Sequence, residues 1–320
     1  MTTADNGASR EEKLVTIPGG LHNERVDGAL ARLLGISRST IVDLIEAGDV
    51  KRDGKVLGKA DKVSEDEKIE VRMPAPKSPL ELTPTPIEGL DVVYNDENII
   101  VINKPAGVAA HPSPGWHGPT VIGAVIAAGY TVTTSGAAER QGVVHRLDVG
   151  TTGLMVLAKD ENSYSNLKDQ FRDRSVTKVY HALVQGHMDP SEGTIDAPID
   201  RHPKEDYRFA VVLDGKPSVT HYKTLEYFPA VSLLEIELET GRTHQIRVHF
   251  AALHHPLVGD MTYGADHTIA TRLEMTRPWL HAKELRFSHP VTGSALAFTS
   301  QYPPELTRTL TLLGHVREGE

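Results

Sequence analysis

The stretch HRLDVGTTGL, residues 145–154, places one aspartate, Asp148, directly ahead of a glycine-threonine turn. The string matches none of the familiar hydrolase, kinase or dinucleotide-binding patterns. Spacing alone leaves two interpretations open. Asp148 either caps the turn at residues 150–152, as aspartates often do, or it is a single positioned carboxylate that carries chemistry.

The composition is that of an ordinary globular protein, with 39% hydrophobic and 24% charged residues in a chain of 320. This length fits one large domain and one small one. No apolar run approaches the roughly 20 residues that cross a bilayer. Residues 1–13 are polar and lack the apolar core of a signal peptide. We therefore expect a frayed tail at 1–13 and a cytoplasmic protein.

The chain contains no cysteine, which excludes disulfides, thiolate metal sites and a cysteine nucleophile. Its 16 histidines leave a histidine-based metallohydrolase as one alternative. However, the pairs His244/His249 and His254/His255 lack the i, i+4 spacing of a zinc-protease helix, and no carboxylate motif accompanies them. We expect no metal site.

Proline marks the boundary between two domains. Five prolines lie between residues 72 and 88, and proline favours extended chain that cannot donate to a strand ladder. We assign a linker to residues 74–88, between a small domain at 14–73 and a larger one at 89–320.

The small domain has the pattern of two short helices. Apolar residues at helical spacing run from Val26 to Leu34, and Gly35 would end that helix. Ser37 is placed to cap a second helix, which Gly48 ends.

Strands follow these helices. The Asp-Gly pair at 53–54 predicts a hairpin turn, and IEVRM, residues 69–73, alternates as a strand does. The pattern resembles the S4 RNA-binding domain, and it equally fits a small α+β domain whose basic residues are merely solvated. Four cations are candidates for RNA contacts here: Arg38, Lys51, Arg52 and Lys55.

The larger domain is rich in strands without regular strand-helix alternation, which predicts an α+β domain around an antiparallel or mixed sheet. LDVVYNDENIIVINKPAG, residues 90–107, predicts a hairpin, while 119–129 and 162–174 predict helices. In VSLLEIELET, residues 231–240, aliphatic residues alternate with glutamates. We expect a sheet that is packed on one side only.

A helix should also open in TGRTHQIRVH, residues 240–249. Ile246, Phe250 and Leu253 form its apolar stripe. Arg247 lies at the edge of that stripe, where a half-buried cation needs a carboxylate, and Asp148 is one of several candidates.

Two further strings complete the pattern, NKPAG at 103–107 and KVY at 178–180. From spacing alone, Tyr180 is equally a packing residue, and Arg146 and Arg247 are equally surface cations.

Together and in this order, the four strings resemble the pseudouridine synthases of the RluA type, which isomerise uridines in structured RNA. The similarity runs from about Leu90 to Phe298, and the S4-like segment matches the branch of the family that acts on large ribosomal RNA. HRLD followed by a threonine-glycine turn is the catalytic motif of this family. Where the family commonly has Thr-Ser-Gly, this chain has Thr-Thr-Gly at 151–153, which keeps the hydroxyl and adds a methyl.

The resemblance implies a role for each matching residue. Asp148 corresponds to the essential catalytic aspartate, and Arg146 to the arginine that enters the gap left by the flipped nucleotide. Tyr180 corresponds to the tyrosine that stacks on the target base, and Arg247 to the basic partner of the aspartate. Lys178 lies on the same strand face as Tyr180.

The family also implies a pseudouridine synthase fold, no cofactor and a structured RNA partner, with ribosomal RNA favoured. We expect a monomer without membrane contact, in which Lys178 and Arg242 are further candidates for RNA binding. Two alternatives remain: the same chemistry on transfer RNA, and a non-enzymatic S4-type protein that accompanies ribosomal precursors.

Overall fold

The computed structural model describes residues 12–34, 38–73, 82–113, 116–136, 140–205 and 207–315. The chain divides into two compact units, Met1–Ser78 and Pro79–Glu320. Each unit is described by itself.

The first unit combines two helices with a four-stranded antiparallel sheet in the order β1-β4-β2-β3. Its elements are β1 Glu12–Thr16, α1 Val26–Leu34, α2 Arg38–Glu46, β2 Val50–Arg52, β3 Lys55–Val56 and β4 Lys68–Arg72. Asp53 and Gly54 both have positive φ, 48° and 72°, which two-residue hairpin turns favour. The helices and the hairpin are therefore where the sequence predicts them.

The ends of this unit differ from the prediction. Glu12 and Lys13, expected in the tail, pair with β4 as the first residues of β1. Residues 1–11 lie outside the described residues, as do Gly35 and Ser37, the predicted stop and cap of the two helices.

The predicted linker is only partly within the described chain, since residues 74–81 lie outside it. Leu82 and Ile87 pack against the core of the second unit. The amide of Thr85 donates to the carbonyl of Gly123 at 3.1 Å. Residues 82–88 are therefore part of the larger unit, because their apolar side chains are held by its core.

The second unit is built around a nine-stranded mixed sheet within the described residues, ordered β5-β6-β7-β14-β8-β13-β12-β9, with β15 beside β14. The strands of this sheet are β5 Asp91–Asn95, β6 Ile99–Lys104, β7 Thr152–Ala158, β8 Thr177–Gln185, β9 Glu192–Asp196, β12 Val219–Tyr227, β13 Val231–Leu238, β14 Leu280–Ser288 and β15 Ala295–Thr299. A separate hairpin comprises β10 Ile199–Arg201 and β11 Phe209–Val211. The helices are α3 Val121–Ala127, α4 Glu161–Arg172, α5 Gln245–Ala252, α6 His267–Arg272 and α7 Pro304–His315. Because β7 and β14 pair in parallel while the other pairs are antiparallel, the α+β class with a mixed sheet is confirmed.

Both faces of this sheet are covered, so the prediction of a sheet packed on one side is wrong. In β13, Leu234 and Ile236 join a core that contains α3 and α5, whereas Val231 and Leu233 join a second core that contains α7. The acidic alternation begins only at Glu235. The earlier half of β13 is apolar on both faces and is buried accordingly.

The two helices that flank the central strands begin at side-chain caps. Thr120 accepts a hydrogen bond from the amide of Gly123 at the start of α3. Asp160 accepts one from the amide of Ser163 at the start of α4. In both cases a side-chain oxygen satisfies an amide that the helix leaves unpaired. Among the described residues, no helix has the length and apolarity needed to cross a membrane.

Candidate active site

The HRLDVGTTGL stretch enters the middle of the sheet as β7. Every residue of β7 is buried, and its first two residues pair with His281 and Ala282 of β14. Gly153 has φ +112°, and a Cβ at this position would lie 2.2 Å from the carbonyl oxygen of Ala282. Only glycine fits here. The preceding Thr152 hydroxyl is hydrogen-bonded to His281 Nδ1 at 2.8 Å.

The backbone, rather than the Asp148 carboxylate, closes the turn. The carbonyl of Asp148 accepts a hydrogen bond from the amide of Thr151 at 3.0 Å. Within the described chain the carboxylate makes no hydrogen bond to the turn, and 18% of its side chain is exposed. The geometry therefore argues against the capping interpretation, because the carboxylate is presented to a pocket.

Arg247, on α5, is the cation nearest this carboxylate. Its Nη1 lies 3.4 Å from Asp148 Oδ2. Its Nε and Nη2 donate to the two oxygens of Asp260 at 2.6 and 2.9 Å. The guanidinium also lies over the ring of Tyr263, 4.8 Å from its centroid.

This arrangement contains the expected pair of Arg247 with Asp148 and adds a second carboxylate. Asp260 is the nearer carboxylate, with hydrogen bonds of 2.6 and 2.9 Å to Arg247. Asp148 makes the longer contact, at 3.4 Å. Burial acts to lower the pKa of Arg247, but its hydrogen bonds to Asp260 and the nearby carboxylate charges outweigh burial and raise that pKa on balance. Asp260 is 1% exposed, and Arg247 is its ion-pair partner. Sequence reasoning missed Asp260, since nothing in its spacing links it to the motif.

His244 is a second neighbour that the sequence did not assign. It precedes α5 in a left-handed conformation with φ 56°. Its Nδ1 lies 2.8 Å from the hydroxyl of Tyr263, and that hydroxyl accepts a hydrogen bond from the amide of Phe209 at 3.0 Å. The Tyr263 hydroxyl thus accepts from Phe209 and still has a proton that it can donate to Nδ1.

The other ring nitrogen of His244, Nε2, lies 3.8 Å from Asp148 Oδ2. Burial lowers the pKa of His244, so the ring is neutral at pH 7. The site thus places a neutral imidazole beside the carboxylate, next to the guanidinium of Arg247.

Tyr180, on β8, is 8% exposed and packs in the main core of the sheet. Burial raises its pKa, so the side chain stays a neutral phenol. It lines an open pocket of about 470 Å³ together with Arg146, Asp148, His244 and Arg247. The structure therefore brings together all four residues that the resemblance singles out.

Lys104 of the NKPAG string holds two motifs together. It is 1% exposed, and its Nζ donates to the carbonyls of Pro105, Val108 and Val149 at 3.0, 2.8 and 3.4 Å. Burial lowers the pKa of this amine to about 7. The carbonyl of Val149 also accepts the amide of Gly107 at 2.9 Å. NKPAG is thereby fixed against the residue that follows Asp148.

The candidate RNA-binding cations of the first unit fall into two groups. Arg38 donates to both oxygens of the buried Asp27 at 3.0 Å, and Arg52 pairs with Glu67. These two arginines stabilise the unit itself. Lys51 and Lys55, on the hairpin, have no ion pair in the described chain.

The histidines do not form a metal site within the described residues, which contain no group of three or more histidine, aspartate or glutamate side chains able to hold an ion. His249 instead bonds to Thr220 Oγ1 and to the carbonyl of Ala197, each at 2.9 Å. His255 bonds to the carbonyl of Gln185 at 2.7 Å.

Comparisons with known proteins agree with this geometry. Residues 98–252 match the family model described as RNA pseudouridylate synthase. An uncharacterized RNA pseudouridine synthase of Mycobacterium bovis is 53% identical over 94% of this chain and 98% of its own length. Ribosomal large subunit pseudouridine synthase D of Pseudomonas aeruginosa is 39% identical over 96% of this chain and 97% of its own length. The solved structure of human RNA Pseudouridylate Synthase Domain Containing 4 has a TM-score of 0.55 and 26% identity, covering 70% of this chain and 93% of that one. The chain belongs to the RluA-type family of RNA pseudouridine synthases, which are isomerases.

Proposed function

We propose that this pseudouridine synthase isomerises uridines of large-subunit ribosomal RNA, with Asp148 as its catalytic residue. The choice of RNA is supported by the Pseudomonas aeruginosa relative, whose name specifies the large ribosomal subunit and whose similarity covers 96% of this chain. A match of that extent includes the first unit as well as the second unit, which carries Asp148.

The reaction breaks the bond between ribose C1′ and uracil N1, turns the base, and joins C1′ to C5. The proton leaves C5, N1 gains one, and no atom or electron is gained overall. One carboxylate serves this chemistry either as a nucleophile at C1′ or as a base toward the C2′ proton. Both routes need a carboxylate that is exposed to the sugar and oriented by its neighbours. The 3.4 Å contact with Arg247 supports Asp148 in that role.

The proposal gives the neighbouring residues distinct tasks. Tyr180 stacks on the extruded uracil, and base-aromatic stacking contributes about 1 to 3 kcal/mol. This offsets part of the few kcal/mol needed to take a base from its stack. Arg146, which is exposed at the mouth of the pocket, fills the gap in the RNA.

The first unit, in this proposal, is an S4-like domain that supplies affinity for RNA. Two helices and an antiparallel sheet support this reading, as do Lys51 and Lys55, which have no ion pair among the described residues. We also propose that the protein acts as a monomer in the cytoplasm, where its ribosomal RNA substrate is found.

The test is a map of pseudouridines in all stable RNA from cells that lack the protein, with and without complementation. We expect sites missing from large-subunit ribosomal RNA, restored by the wild-type chain but not by Asp148→Asn. Missing sites in transfer RNA alone would overturn the proposed substrate. Restoration of every site by Asp148→Asn would overturn the catalytic assignment.

A further inference from the structure

Arg277 lies just ahead of β14 and does not line the pocket of Asp148, yet its guanidinium reaches the turn that carries this aspartate. Its Nη1 donates to the carbonyls of Gly150 and Pro278 at 2.9 and 3.0 Å, and its Nη2 donates to Glu305 of α7 at 2.6 Å. Only 13% of the side chain is exposed. A rigid guanidinium fork bonded to three acceptors fixes the Gly150 carbonyl relative to the start of α7.

Two cations hold the carbonyls that follow Asp148 in the chain. The carbonyl of Val149 accepts a hydrogen bond from Lys104 Nζ at 3.4 Å, and the next carbonyl, that of Gly150, accepts the one from Arg277. Hydrogen bonds from charged donors are roughly twice as strong as those between neutral groups. Because Arg277 binds only two residues after Asp148, it restricts the movement of the turn and therefore of the carboxylate.

The backbone of Arg277 contacts a second turn, the one that presents Asp260. Gly259 has φ +82°, and a Cβ at this position would lie 2.1 Å from the carbonyl oxygen of Arg277. The amide of Trp279 donates to the carbonyl of Val258 at 2.9 Å. Arg277 is therefore packed against both the turn of the candidate catalytic aspartate and the turn of the carboxylate that orients its cation.

The first turn of α7 anchors this segment. Glu305 forms the ion pair with Arg277, and the buried indole of Trp279 donates to the carbonyl of Leu306 at 3.3 Å. Trp279 and Leu306 also belong to the same apolar core. The position of Arg277 thus depends on α7, which contributes no residue to the lining of the pocket.

We propose that Arg277 is a positioning residue for the isomerisation, which holds the turn of Asp148 against the turn of Asp260. This arrangement keeps Arg247 Nη1 at 3.4 Å from the Asp148 carboxylate. The inference rests on the proposed catalytic role of Asp148. Since Arg277 acts through Asp148 and does not contact the substrate, its loss affects the rate of the reaction and not the affinity for RNA.

The division between kcat and KM in Arg277→Met tests this role. Methionine keeps an apolar stem but has no donor for Gly150 or Glu305. The substrate is total RNA, labelled with tritium at uridine C5 and isolated from cells that lack the protein, so the assay does not depend on which RNA is modified. We expect kcat to fall about 10- to 100-fold, because small displacements of a reacting group are costly. The apparent KM should stay close to the wild-type value.

Arg277→Lys is the conservative variant. Its ammonium keeps the charge beside Glu305 but lacks the planar fork that reaches several acceptors at once. We expect its kcat to lie between those of the wild type and Arg277→Met, with KM unchanged, in assays run well below the melting temperature of each variant. If Arg277→Met does not fold, Arg277→Lys decides the question, and a wild-type kcat in this variant overturns the role of Arg277.

Arg308→Met is the control for loss of an arginine-glutamate pair at α7. Arg308 pairs with Glu274 at 2.7 Å and, among the described residues, makes no hydrogen bond to residues 148–151. Its kcat should equal that of the wild type. A wild-type kcat in folded Arg277→Met, or a change in KM alone, overturns the positioning role while Asp148→Asn stays inactive in the same assay. Turnover by Asp148→Asn instead overturns the catalytic assignment on which the inference rests.

Discussion

Arg247 and Asp148 lie 99 residues apart in sequence, yet their side chains approach to 3.4 Å. The guanidinium is fixed from its other side by two hydrogen bonds to Asp260. Because those bonds use Nε and Nη2, they leave Nη1 directed at Asp148. Asp260 thus orients the cation, and the cation in turn faces the candidate catalytic carboxylate.

Removing Arg247 should affect folding as well as activity. Arg247→Met leaves Asp260, which is 1% exposed, without its cation. Breaking one side of a buried ion pair typically destabilises a protein by about 3 to 5 kcal/mol. We expect a loss of that size in the free energy of unfolding, measured by urea titration, together with loss of pseudouridine formation.

The double variant Arg247→Met with Asp260→Leu separates these two effects. It removes both buried charges, so much of the stability should return. Activity should stay lost, because Asp148 still lacks its cation. If the double variant regains activity along with stability, Arg247 contributes only to folding.

The hydroxyl of Tyr263 should matter for turnover more than for substrate binding. Tyr263→Phe keeps the ring beneath Arg247 but removes the hydroxyl that is hydrogen-bonded to His244 Nδ1. Loss of one such hydrogen bond is worth about 1 kcal/mol. We expect kcat to fall about fivefold with KM little changed, in steady-state assays. Tyr207→Phe, at a tyrosine that is 70% exposed, is the control and should behave as the wild type. An unchanged kcat in Tyr263→Phe would show that the hydrogen bond between Tyr263 and His244 does not contribute to turnover.

The second threonine of the motif should require its hydroxyl but not its methyl. Thr152 is 2% exposed and its hydroxyl bonds to His281 Nδ1, while His281 Nε2 has no hydrogen-bond partner among the described residues. Thr152→Ser should stay folded and active. Thr152→Val should lower the free energy of unfolding by about 1 to 3 kcal/mol, because His281 loses its hydrogen bond. The two variants are compared by thermal unfolding. Equal stability of Thr152→Ser and Thr152→Val would contradict a stabilising role for the hydrogen bond between Thr152 and His281.

Stability should fall in mild acid partly because of His145. Burial lowers the pKa of His145 from 6.5 to about 3, and its Nε2 accepts the amide of Val156 at 3.0 Å. Above pH 6.5 the ring is neutral in both the folded and unfolded states, so the stability is complete. Between that pH and about 3 the unfolded chain binds a proton that the folded chain does not, and stability falls as pH falls.

His145→Gln should therefore flatten the pH dependence of unfolding near pH 5 to 6 by about 1.4 kcal/mol per pH unit. His267→Gln, at an exposed histidine of α6, provides the comparison and should leave the slope as it is. Parallel pH profiles for the wild type and His145→Gln would contradict the account of His145.

The fold was predictable wherever the pattern was local. Periodicity predicts both helices of the first unit, and the Asp-Gly pair predicts its hairpin. By contrast, the burial of β13 on both faces depends on α7, which lies more than 60 residues later in the chain. No local alternation could reveal that contact.

The residues of the candidate site also fall into those that a local sequence pattern predicts and those that only tertiary contacts identify. Asp148, Arg146, Tyr180 and Arg247 lie in recognisable strings, and the pocket contains all of them. Asp260, Tyr263 and His244 gain their roles only from contacts across the fold. The charge of Arg247 implies that a carboxylate must lie near it, but the identity of Asp260 follows from tertiary structure alone.

The most direct test of the catalytic assignment is tritium release from a large-subunit ribosomal RNA transcript labelled at uridine C5, catalysed by Asp148→Asn. The substitution keeps the shape of the side chain but removes its charge and basicity. The gel-shift affinity for the same transcript and the melting temperature should stay close to the wild type. Asp214→Asn, at an exposed aspartate away from the pocket, is the matched control and should turn over normally. We predict no tritium release above background from Asp148→Asn, and measurable turnover by that variant would contradict the role of Asp148 in catalysis.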